Sequence, residues 1–244
     1  MSITLSHRRI VWVLATIVLC LLLASTAGQL AKHLWGHGRL WGFVRLFDLD
    51  QEGNVSTWYQ SMTILVCAGL LAAIARHRRR LGAPYAVHWT VLAVIFLGLS
   101  IDELASIHEM AIRPLREAWH LRGILHFAWV IPGGAFVLLV GLAYLPFLAA
   151  LPARTRRLFI VAGALYVGGT LGMDLVGGYL ADYHGTGNLV YVAAYTVEEA
   201  LEMVGIVIFL RALMGYLGDT TGTVELRFGA PRGADSGEGI NAST

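Results

Sequence analysis

Apolar residues gather in six long runs, at 10–28, 58–75, 88–106, 124–149, 159–180 and 189–213, parted by short polar segments. Each run is near the roughly 20 residues an α-helix needs to cross a hydrocarbon core. The pattern predicts an all-α, polytopic bundle of six transmembrane helices. Arginines cluster at Arg8 and Arg9, at Arg76 to Arg80, and at Arg154, Arg156 and Arg157. Six crossings place these clusters on one side, which the bias of Lys and Arg toward short inner loops makes cytoplasmic, together with both termini. The first run follows His7, Arg8 and Arg9 as in a signal peptide, but it is too long for a typical apolar core and lacks a small-residue cleavage site. It is expected to stay as the first helix.

The outer connections are 29–57, 107–123 and 181–188. In the first, Trp35, Trp41, Phe43 and Phe47 alternate with Lys32, Arg39 and Arg45, a mixture suited to an interfacial segment in the headgroup layer. Trp58, Tyr59, Trp119 and Trp129 extend an aromatic belt at that level. The transmembrane domain is set at 1–214. Residues 215–244, rich in Gly, Ser, Thr and Asp, are expected to form a disordered cytoplasmic tail.

Composition supports this picture: 57% of residues are hydrophobic and 14% charged, with a formal charge of +2. So small a charge, with its cations at helix ends, excludes a nucleic-acid partner and leaves membrane lipid as the surroundings. Cys20 and Cys67 lie inside separate apolar runs, giving no disulfide framework and no metal-binding pair, and are read as packing residues.

Acids inside the apolar runs change the picture most. Asp102 and Glu103 lie in the third run and Glu198, Glu199 and Glu202 in the sixth, where each charge costs roughly 2.5 to 3.5 kcal/mol near a bilayer centre. Such acids require protons, partner groups or a metal. At about 100° per residue, Asp102, Glu103, Ser106 and Glu109 share an arc of about 120°, and His108 joins them only if the helix unwinds. Tyr191, Tyr195, Glu198 and Glu202 share a face with Glu199 at its edge. Glu199 and Glu202, three residues apart, can hold one ion. Asp174, among glycines of the fifth run, reaches a similar depth, and His126 and His184 lie near the outer ends of their segments. This oxygen-rich set with one or two imidazoles suits a divalent iron, manganese or zinc ion. The alternative is that the acids bond to Tyr191, Tyr195, Ser100 and Thr196 and only hold helices together.

Other signals are weaker. Asp48, Asp50, Glu52 and Gly53 follow a calcium-loop pattern, but Tyr59 stands where the closing Glu belongs, and the acids also suit a turn before a helix capped by Ser56 or Thr57. Glu117 and His120 form a Glu-x-x-His pair outside the membrane, unlike a di-iron bundle. Arg113 and Arg116 suit ion pairing. Phosphate-loop, serine-elbow and His-Glu-x-x-His motifs are absent. Ser100-Ile-Asp-Glu-Leu and Thr196-Val-Glu-Glu-Ala are alike, as an inverted repeat would leave them.

The runs FDLDQEGNVSTWYQS, LSIDELASIHE and VEEALEMVGI resemble those of an uncharacterised family of multi-span bacterial membrane proteins, which implies the inner membrane and no particular activity. A looser similarity is to ceramidase-like membrane metal-hydrolases. Those carry a His-x-x-x-His pair on a late helix, where this chain has Glu198-Glu199-x-x-Glu202. The expectation is a membrane enzyme of hydrolase or oxidoreductase type, acting on a lipid or amphipathic substrate. Glu103, Glu199 and Glu202 are its expected metal ligands, completed by His108, Glu109, Asp174 or His126. Asp102 or Glu198 is the expected general base toward a water activated by the metal. The rival is a proton- or cation-coupled transporter using the same acids.

Overall fold

The computed structural model of the chain describes residues 7–38 and 42–221. Its elements are α1 (His7–Trp35), α2 (Phe43–Phe47), α3 (Val55–Arg80), α4 (Ala86–Ala105), α5 (Ile107–Trp119), a single 3-10 turn (Gly123–Leu125), α6 (Val130–Ala150), α7 (Ala153–Val167), a π-helical stretch (Gly168–Met173), α8 (Asp174–His184) and α9 (Leu189–Thr221). No strand occurs among the described residues. Six helices are long and apolar enough to cross a membrane, with α7, the π stretch and α8 forming one of them. This is the all-α, multi-span bundle expected from the hydropathy pattern. The fold has an arginine-rich end and, opposite it, an acidic end.

Helix α1 runs seven residues past the expected limit at 28 before the short α2, so the first part of the expected interfacial segment is a continuation of the first span. Arg39 and Trp41, two residues of that expected segment, lie outside the described residues. Helix α9 continues to Thr221, past the expected limit of the domain at 214, and residues 222–244 of the expected tail lie outside the described residues. Helix α6 starts at Val130 rather than 124. Pro132 then lies in its first turn, where the missing N–H has no intrahelical partner to lose. Asn54, not Ser56 or Thr57, caps α3: its side chain accepts from the N–H groups of both.

Helices α3 and α9 form the inside of the bundle: 56% of each apolar window is buried against 11–17% in the other spans. Ser61 on α3 and Ser100 on α4 donate to each other's carbonyls at 2.7 and 2.9 Å, which locks this hairpin. At the arginine-rich end Trp89, Phe147, Phe159 and Tyr216 pack ring to ring, with centroids 4.8 to 5.9 Å apart around Trp89. Tyr144 adds a hydrogen bond to the carbonyl of His88 at 2.9 Å, tying α6 to the start of α4. Cys67 is buried in this core as expected, whereas Cys20 is exposed on α1 and does not pack.

Candidate metal centre

The acidic end is organised by two breaks in the helices. Ser106 takes a left-handed conformation (φ 52°) between α4 and α5. This turn unwinds the chain just beyond Asp102 and brings His108 back over it. One Asp102 oxygen accepts from the His108 backbone N–H at 2.9 Å and the other lies 2.9 Å from His108 Nδ1. A carboxylate there holds the proton on Nδ1 and leaves Nε2 free, the arrangement that orients imidazole ligands in metal sites. The Trp129 ring packs 4.8 Å from the His108 ring, and its Nε1 donates to Asp174 at 2.6 Å.

The second break is the loop between α2 and α3. Asn54 Nδ2 donates to the carbonyls of Asp48 and Gln51, while the Tyr195 and Tyr191 hydroxyls donate to Asp48 and Asp50 at 3.4 and 3.0 Å. The acids of the calcium-like pattern therefore diverge, two toward tyrosines of α9 and Glu52 toward α5. Glu52, His108 and Glu109 each offer a ligand atom, all within 4.8 Å of one another. Glu52 Oε2 is buried without a hydrogen-bond partner. A buried, unpartnered carboxylate oxygen beside an oriented imidazole and a second acid is a donor set that fits a divalent cation.

The electrostatics agree. Burial, followed by the negative charge of Glu109, pushes Glu52 up to about 7. Burial lowers the pKa of His108, but the hydrogen bond and charge of Asp102, with Glu109 and Glu52, outweigh it and leave the pKa raised. A carboxyl whose pKa is higher folded than unfolded stabilises the fold below its unfolded value, and that contribution is lost as pH rises through the folded value. Metal-free wild type is therefore expected to lose thermal stability relative to Glu52→Gln between about pH 4.5 and about pH 7. Unfolding midpoints of both proteins in detergent with chelator check this, and parallel pH profiles would contradict it.

Next to this triad opens a cavity of about 570 Å³ lined by α4, α6, α7, the π stretch and α9. Asp102, Glu103, His108, Glu109, Asp174, Glu198, Glu199 and Glu202 all line it. Glu198 and Asp174 lie within hydrogen-bonding reach of each other, as two carboxyls do when they share a proton or cation. Deeper in, Gln60, only 2% exposed, donates to Glu202 at 2.7 Å and also reaches Glu103, linking α3, α4 and α9. Sequence reasoning missed Gln60, whose signal was a lone amide in an apolar run.

The hydroxyls expected to cap the acids are mostly committed elsewhere. Ser100 bonds to Ser61 and Thr196 to its own helix, while Tyr191 and Tyr195 serve Asp50 and Asp48. His126 is absent from the cavity wall. Arg116 donates to its Nε2 at 2.6 Å, and its Nδ1 lies 3.2 Å from Asp182, so both ring nitrogens are engaged outside the site. The late start of α6 puts it there. His184 is exposed at the end of α8.

The π stretch lets the chain approach α9 closely. A Cβ on Gly169 would come within 2.8 Å of both the Glu198 carbonyl oxygen and Glu202 Cγ. Gly169→Ala is accordingly expected to cost about 1 to 2 kcal/mol through overpacking, read as a lower unfolding midpoint in detergent. Gly172→Ala, where a Cβ meets open space, is the control.

A sequence-family model described as a domain of unknown function (DUF8692) matches residues 10–217. No curated protein and no solved structure matches the chain. The matched stretch contains all six spans but for the ends of the first and last, and the whole acidic cavity, so the chain belongs to the family of the domain of unknown function DUF8692.

Proposed function

We propose that this protein is a metal-dependent membrane enzyme acting on a lipid or other amphipathic substrate at the acidic end of the bundle. The carrying observation is the Glu52, His108 and Glu109 triad, with Asp102 holding His108 and a cavity opening beside it. Glu52, His108 and Glu109 would hold iron, zinc or manganese. Asp102, with both oxygens on His108, takes a positioning role rather than that of general base. Glu198, beside Asp174 on the cavity wall, is the carboxylate left to accept a proton from water. The ion supplies Lewis acidity, which makes water a nucleophile near neutral pH. Glu103, Glu199 and Glu202, held with Gln60 deeper in the wall, supply further oxygens that position a polar headgroup or a second cation.

The arginine clusters orient the acidic end away from the cytoplasm, in keeping with a bacterial inner-membrane protein whose substrate comes from the outer leaflet. A cation-coupled transporter would use the same acids with a second vestibule at the arginine-rich end. The ring packing of Trp89, Phe147, Phe159 and Tyr216 at that end favours the enzyme.

Elemental analysis of detergent-purified wild type and of a Glu52→Ala, His108→Ala double variant tests this reading. The expected result is near-stoichiometric iron, zinc or manganese in the wild type and loss of it in the variant at matched folding. Wild type that stays metal-free after reconstitution with all three would overturn it.

A further inference from the structure

The cavity does not stop at the acids. Beyond Glu202 its walls turn apolar, with Phe96 of α4, Val140 and Phe147 of α6, Phe159 of α7 and Phe209 of α9. From Glu198 to Phe209 along α9 the rise is roughly 16 Å at 1.5 Å per residue. That matches the depth of one leaflet, about 15 Å or half of a roughly 30 Å hydrocarbon core. The volume of about 570 Å³ falls within the roughly 300 to 1,000 Å³ of sites that enclose a small ligand.

The lower end is closed by the Trp89, Phe147 and Phe159 ring cluster. On the side, α4 and α6 are joined at that end by Tyr144 and His88. Toward the acidic end Phe136 lines the chamber yet is 48% exposed. A slot about one leaflet deep, acidic from Glu198 to Glu202, apolar over the roughly 10 Å from Glu202 to Phe209 and blocked by aromatic rings, has the shape and polarity of a lipid with one straight chain.

We infer that the chamber binds a single hydrocarbon chain of a membrane lipid, headgroup at the acidic triad and chain end at the aromatic floor, and that the floor sets the longest chain accepted. This rests on the reading of the cavity as the substrate site. The chain enters between α4 and α6 from the bilayer. Gly141 is the position that leaves room for it: the residue lines the chamber, and a Cβ there meets nothing within 4 Å. A Cβ at 141 meets no protein, and a large side chain carried on it is expected to take up ligand space.

The test uses delipidated protein in detergent with chelator, exposed to an equimolar mixture of monoacylglycerols from about eight to about eighteen carbons, lengths that bracket half a hydrocarbon core. Native mass spectrometry reads which chains stay bound. Wild type is expected to retain one chain per protein with preference for the longer members. Gly141→Phe is expected to shift the ratio of long to short bound chains at least about tenfold toward the short. Leu139→Phe, on the same helix at a residue 68% exposed and outside the chamber wall, controls for folding and should match wild type. No retained chain in wild type, or identical profiles for the two variants, overturns the inference. Because metal is removed, the two readings fail separately: metal bound without a retained chain sinks only this inference, and a retained chain in a protein that never takes up metal sinks only the enzyme.

Discussion

His108→Ala is expected to lower metal affinity by at least about 100-fold, and Asp102→Asn by about 10- to 100-fold through loss of the group that orients the ring. The two effects arise differently. His108 would give up the Nε2 donor itself, whereas Asp102 touches His108 through both oxygens and would act only through it. Competition with a chromophoric chelator measures both. His126→Ala should leave the affinity unchanged, because Arg116 and Asp182 occupy that ring away from the cavity. A ligand present at about 100 times its dissociation constant raises folding stability by about 2.7 kcal/mol. The rise in unfolding midpoint on adding metal should therefore disappear in His108→Ala and persist in His126→Ala. Equal affinities for wild type and His108→Ala would remove this residue from the centre.

Gln60→Leu is expected to destabilise the fold by about 3 kcal/mol. The substitution keeps a side chain of similar size but removes the donor to Glu202, itself only 6% exposed. Depriving a buried acceptor of a donor costs roughly 1 to 3 kcal/mol, and Gln60 also reaches Glu103, which puts the loss at the upper end. A double-mutant cycle isolates the contact: Gln60→Leu with Glu202→Leu should lose less than the sum of the two single losses. Thermal unfolding in detergent supplies the four values, and strict additivity would show that the contact carries no coupling energy.

The chain's architecture was legible because membrane insertion is a local test. A run of about 20 apolar residues commits to a helix whatever surrounds it, since backbone polar groups have no other partner in hydrocarbon. The spans were therefore placed from hydropathy alone, with errors where hydropathy is silent. Helix α5 was read as connection because Ile107–Trp119 mixes charge with apolar residues and contains Pro114. The π stretch at Gly168–Met173 lies inside one continuous apolar run, so its altered hydrogen bonding leaves no mark in the hydropathy.

The site was legible in part. Acids in an apolar run stand out by their cost, and Asp102, Glu103, Asp174, Glu198, Glu199 and Glu202, each marked in this way, all line one cavity. Glu52 reads only as part of a calcium-like loop, because its local neighbours match that pattern, while His108 and Glu109 reach it only through the fold. His126 lies away from the cavity wall for a related reason: its two partners are ten and 56 residues away.

By itself, then, the sequence determined six helical crossings, the separation of an arginine-rich end from an acidic one, and a set of buried carboxylates that demand compensation. Those are properties of composition and spacing against a fixed solvent. Which carboxylates meet was decided by the tertiary structure. The left-handed turn at Ser106 swings His108 onto Asp102, the tyrosines of α9 draw the 48–54 loop over the cavity, and Gly169 lets the π stretch close on α9. Each depends on contacts between residues far apart in the chain, and no periodicity along one helix encodes them.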